Sequence, residues 1–125
     1  MFVIEGKYGK SRILETAVNE LPEGNCIVID AVGIPIHWNG SIFVFDFRSM
    51  SHDSIVSWLK ISLGKYINDE ETLVLEVNCS KDKLNDYLEL ENILGFQRYM
   101  ITLQNNETDD ILQYNTFYNP ISLWF

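Results

Sequence analysis

The residues best placed to do chemistry lie close to the start of the chain. Gly6-Lys7-Tyr8-Gly9-Lys10-Ser11 follows an apolar run, Met1 to Glu5, and precedes a helical pattern. Glycines at a strand-to-helix turn let backbone N–H groups close on an anion. The first turn of a helix adds its partial positive charge and its unpartnered N–H groups. A lysine can reach the outer oxygens of a phosphate, and a neighbouring hydroxyl can ligate its magnesium ion. The plain alternative is a tight glycine turn into a helix, with Lys10 and Ser11 solvated at its first turn.

Gly9-Lys10-Ser11 matches the end of the phosphate-loop consensus G-x-x-x-x-G-K-[ST], in the strand-to-helix context that the motif requires. In these ten residues the chain resembles the P-loop NTPase family, and the small nucleotide kinases within it. The departure is in the loop's length. Only Lys7 and Tyr8 separate Gly6 from Gly9, and the position of the first consensus glycine holds Ile4. A loop two residues shorter lacks amides that surround a β-phosphate, and Tyr8 is expected to crowd it. The resemblance implies a phosphate site at Gly6, Gly9, Lys10 and Ser11, with ATP or GTP and Mg2+ as the implied ligands.

An enzyme of that family needs an acid at a neighbouring strand end to orient magnesium or water. Asp30 in CIVIDAVG, Asp46 in FVFDFRS and Glu76 in LVLEVN are the metal candidates. Gln104 and Asn105 after YMITL offer a polar strand end beyond Glu76. That order resembles the RecA-like and AAA-like branch. Arg48, just past a strand end, is the best anion contact after Lys10; Arg98 sits early in its strand, away from the cleft. An acid at the C-terminal end of a parallel strand is common in any α/β protein, because those ends face the cleft.

The two histidines, His37 and His52, lack the cysteine or carboxylate spacing of a zinc site. Ser51-His52-Asp53 cannot form a triad from adjacent positions, and Ser51 or Asp53 is expected to cap a helix. Cys26 and Cys79 match no redox or metal motif and read as buried thiols.

The elements that must position these residues follow from periodicity. Met1–Glu5, Asn25–Ala31, Ser41–Phe47, Thr72–Asn78 and Phe96–Gln104 read as strands, several of them continuous apolar runs typical of parallel sheets. Helices are expected over 10–21, about 53–67, and from the Ser80 cap to Leu94, with Gly95 at C′. The order β-α-β-β-α-β-α-β predicts one α/β domain over residues 1–125. Its mostly parallel sheet has about five strands and carries helices on both faces.

Apolar residues make up 46% of the 125-residue chain and charged residues 22%, the balance of a globular domain. A net charge of −9 argues against wrapping a nucleic-acid backbone. The absence of a signal peptide pattern and of long apolar stretches points to a cytoplasmic protein that does not enter a membrane. The aromatic tail through Leu123-Trp124-Phe125 either completes the core or docks on another protein.

Without room for lids or further domains, a complete catalytic constellation is not expected. The reading is a degenerate P-loop-like domain with at most weak nucleotide or anion binding, acting as a non-catalytic binding module for another protein. The alternative is an acidic phage- or plasmid-type protein that modulates a protein partner without any nucleotide. The scarcity of alanine, at Ala17 and Ala31 only, fits the AT-rich coding such a source would have.

Overall fold

The structure, a computed structural model, describes residues 1–21, 25–33, 36, 38, 42–63 and 70–118. Its strands are β1 (Phe2–Gly6), β2 (Asn25–Asp30), β3 (Ile42–Asp46), β4 (Glu70–Cys79), β5 (Arg98–Gln104) and β6 (Leu112–Asn115). Its helices are α1 (Lys10–Asn19), α2 (His52–Ile61) and the short α3 (Leu84–Leu88). One six-stranded sheet has the order β3-β2-β4-β5-β1-β6. Every pairing from β3 to β1 is parallel, and β6 alone runs antiparallel, against β1. The expected α/β class is therefore present, with one strand more than the sequence reading counted.

Strand alternation sorts the apolar side chains onto two faces. On one face Ile4, Val28, Val74 and Met100 pack against Leu14 and Val18 of α1. On the other, Val3, Ile29, Leu75, Ile101 and Leu103 pack against Ile55, Val56 and Leu59 of α2 and Leu84, Tyr87 and Leu88 of α3. Burial on both sides explains why these strands read as unbroken apolar runs.

The boundaries of the helices differ from expectation in places. Ser51 caps α2 as expected, its hydroxyl accepting from the Ser54 N–H at 3.2 Å. The helix closes at Ile61 rather than near Ile67, which lies outside the described residues, as do Pro22 to Gly24 at the end of the first helical pattern. The third helix is a chain of short turns: a 3-10 turn over Lys81–Lys83, α3, and a second 3-10 turn over Glu89–Asn92. Side chains three apart eclipse in a 3-10 turn, which keeps Leu90 on the buried side with Tyr87. Ser80 makes no side-chain cap bond, and Gly95 does not take the left-handed backbone of a C′ glycine.

Among the described residues no helix is long and apolar enough to cross a membrane. The tail residues Leu123, Trp124 and Phe125, and His37, lie outside the described residues.

Candidate functional site

All five parallel strands end at one rim, so Gly6, Asp30, Asp46, Glu76 and Gln104 share it. By alternation all five also fall on one face, since Gly6 is in register with Gln104, Asp30 with Glu76 and Asp46 with Asp30. Glu76 is two residues beyond Val74, and Gln104 four beyond Met100, so both face the α1 side. There the start of α1 crosses above the ends of β1, β5 and β4.

The turn into α1 depends on Gly9. It is the N-cap, with φ +82°, a left-handed conformation that a side chain would strain. Tyr8 is turned outward and 79% exposed, so it does not crowd the loop as expected. Lys10, the first residue of α1, is only 4% exposed. Its ammonium donates to Gly6 O at 2.7 Å, Lys7 O at 3.3 Å and Gln104 Oε1 at 3.1 Å. The expectation of a solvated lysine is corrected here. With so few residues between the glycines, the loop's own carbonyls lie within reach of the ammonium, and β1–β5 pairing delivers Gln104 to the same point. Burial pushes the Lys10 pKa down. Gly6 O also accepts from Asn105 N at 3.0 Å, and Gln104 Nε2 donates to Asn106 Oδ1 at 2.6 Å.

The neighbouring Ser11 hydroxyl donates to Glu76 Oε1. Glu76 is 1% exposed, and burial is the main cause of its raised pKa. The charge of Asp30 on the adjacent strand adds to the rise, whereas the Ser11 hydroxyl opposes it. The structure thus brings Gly6, Gly9, Lys10, Ser11 and Glu76 together, with Gln104 as a member.

Asp30 is next to Glu76 in register, but its Oδ1 is engaged by the N–H groups of Val32 and Gly33 at 2.9 and 2.8 Å. Asp46 and Arg48 pair with one another instead of joining the cluster. Arg48 Nε and Nη2 donate to the two Asp46 oxygens at 2.8 and 2.6 Å, holding that carboxyl below its ordinary pKa. They sit at the end of β3, four strand spacings from β1, about 19 Å at ~4.8 Å per strand. Arg48 is therefore not a second arm for an anion held at Lys10. Among the described residues no group of three or more His, Cys, Asp or Glu side chains could hold a metal. Ser11 and Glu76 are the donors that would face a magnesium ion delivered with phosphates.

A second polar cluster, on the opposite face of the rim, was not singled out by sequence reasoning. Glu5 is 2% exposed and accepts from Tyr114 OH at 2.7 Å and Asn105 Nδ2 at 2.9 Å, with Lys81 at 3.9 Å. Burial alone would raise its pKa; the Asn105 and Tyr114 hydrogen bonds and the Lys81 charge outweigh it, and the net direction is down. The available signal was a lone acid inside the apolar run FVIEG: a doubly buried strand admits a carboxylate only with partners.

The remaining candidates have structural partners. His52 Nδ1 meets Tyr87 OH and its Nε2 meets Asp86 Oδ2, each at 3.0 Å, which ties α2 to α3. Arg98 pairs with Glu71 at 3.5 Å, near the start of β5. Cys26 is buried and Cys79 half-buried, neither in a disulfide; burial pushes the Cys79 thiol up to about 12. Comparison of the chain with known protein families, with curated proteins and with solved structures finds no match.

Proposed function

We propose that this chain is a P-loop-like domain with a shortened phosphate loop that binds a phosphate-bearing anion weakly and does not hydrolyse it. It serves as a non-catalytic binding module. The observation that carries this reading is the convergence of Lys10, Ser11, Glu76 and Gln104 at the N-terminus of α1. A lysine, a hydroxyl and a strand-end acid are the groups a nucleotide phosphate and its magnesium require, and the polar end of β5 lies between the strands that supply them. Lys10 already has three oxygen acceptors, and an anion must draw its ammonium away from them. That competition favours weak binding. Arg48, at the far end of the sheet, does not reach a phosphate held at Lys10, which disfavours phosphoryl transfer, because charge developing on the phosphate would lack that cation.

The test is calorimetric titration of the whole chain with ATP–Mg2+, GTP–Mg2+ and pyrophosphate, beside a turnover assay. Weak binding of at least one, reduced in Ser11→Ala and without turnover, is the expected result. Ligand at a hundred times its Kd should also add about 2.7 kcal/mol of stability. No binding of any of the three overturns the anion site. Turnover that Lys10→Met abolishes overturns the non-catalytic reading.

The engagement of Lys10 by its own loop specifically favours a second reading, an acidic interaction protein that uses no nucleotide. Absence of anion binding together with capture of a protein partner would select it.

A further inference from the structure

β3 lies at the end of the sheet, and among the described residues β2 is its one strand partner. Phe47 N donates to Asp30 O at 2.7 Å, so the Phe47 amide points inward, toward β2. Successive residues of a strand direct their N–H and C=O groups to alternate sides. Phe43 and Phe45 therefore bond toward β2, whereas Ile42, Val44 and Asp46 direct their backbone groups outward. Sheet edges in monomeric proteins are usually guarded by lysine, proline or a bulge. Ile42-Phe43-Val44-Phe45-Asp46 has none: its register with β2 is unbroken, and Arg48 compensates its one charge. Phe43 is 64% and Val44 47% exposed.

We propose that the outer edge of β3 pairs antiparallel with β3 of a second copy of this chain, about a two-fold axis at Val44. The outward-facing residues are symmetric about Val44. In this register Val44 stands opposite Val44, and Ile42 opposite Asp46 on either side. Each pair exchanges both of its N–H···O bonds, and no outward group of the strand is left over. Among the described residues no strand pairs with this edge; such an edge takes another strand rather than a helix, and the identical strand satisfies this one in a single register. On the α2 face the pairing sets exposed Phe43 opposite Phe45 of the other copy. It would join the aromatic row in which Phe43 and Phe45 are 5.9 Å apart, Phe45 and Trp58 5.0 Å, and Phe47 and Trp58 4.8 Å. The contact itself is uncharged apart from the compensated Asp46. The net charge of −9 on each copy acts at longer range, so added salt should strengthen the association.

Sedimentation velocity on the full chain, from low to high micromolar concentration and at low and high salt, tests this. The expected species has twice the 14.5 kDa chain mass and grows with concentration and with salt. Val44→Lys places like charges directly opposite one another and should weaken the association roughly tenfold or more. Val44→Pro removes an outward N–H that an edge strand can spare, and should do the same with an unchanged circular dichroism spectrum. If the proline variant fails to fold, the lysine variant decides. A monomer under all conditions, a dimer indifferent to the folded variants, or one that salt weakens overturns the proposal.

Discussion

Removing the Lys10 ammonium should destabilise the protein, although an ordinary first-turn lysine is dispensable. In Lys10→Ala, Gly6 O keeps a partner in Asn105 N, and Lys7 O keeps the longer contact from Gln104 Nε2 at 3.4 Å. Gln104 Oε1 loses the Lys10 donor. A hydrogen bond to a charged group is worth about 1.5–3 kcal/mol net. Withdrawing the ammonium from water works against that, so a loss of about 2 kcal/mol is the reasoned figure. For a domain of this size that is a fall in Tm of roughly 6–10 °C. Lys10→Met keeps most of the aliphatic stem but no donor, so it should lose nearly as much. Denaturant unfolding with circular dichroism gives both values. If both variants stay within about 0.5 kcal/mol of the parent, the ammonium is solvated and the account of the closed loop is wrong.

Other expectations follow from the same contacts. Glu76→Gln should be more stable than the parent at neutral pH. The raised pKa of Glu76 means that the parent loses stability as pH climbs from 4.5 through the folded-state value; urea unfolding should show the gap closing on acidification and vanishing below 4.5. Glu5→Gln should cost about 2 kcal/mol at neutral pH through the weakened Tyr114 and Asn105 bonds. Its folded pKa is lowered, so that contribution is complete above 4.5 and is lost as pH falls through the folded value, which paired urea series would show. Ser51→Ala should cost about 1 kcal/mol by removing the α2 cap, with Ser51→Asp restoring most of it in thermal unfolding.

The sheet was largely legible because its strands are buried on both faces. Ile27-Val28-Ile29 and Leu73-Val74-Leu75 have no polar alternation that could be mistaken for a helix face. β6 was not legible. It packs as an edge against β1, with exposed Leu112, and its alternation, Leu112-Gln113-Tyr114-Asn115, is only four residues long, too short to stand out from the polar loop and aromatic segment around it. The break-up of the third helix was hidden for a related reason. Leu84, Tyr87 and Leu88 have helical spacing, and the tightening that follows depends on where β5 must begin.

The site was legible in its parts and not in its connections. Gly9, Lys10 and Ser11 announce themselves by spacing, and Glu76 stands at a strand end. What Lys10 does depends on Gln104, which is distant in sequence and arrives only because β1 pairs with β5. Loop length then determines the outcome. Two intervening residues bring the carbonyls of Gly6 and Lys7 to the ammonium, so the turn supplies acceptors where a phosphate site needs donors. The N–H groups at the start of α1 still favour an anion. The two tendencies oppose one another at the same lysine. An anion that binds must reorient Lys10 or approach from the Ser11 side, where Glu76 repels it when ionised. Without magnesium to bridge them, protonating Glu76 should therefore strengthen anion binding, and Glu76→Gln should bind metal-free pyrophosphate more tightly than the parent at neutral pH. Equal or weaker affinity in that variant would place the anion elsewhere.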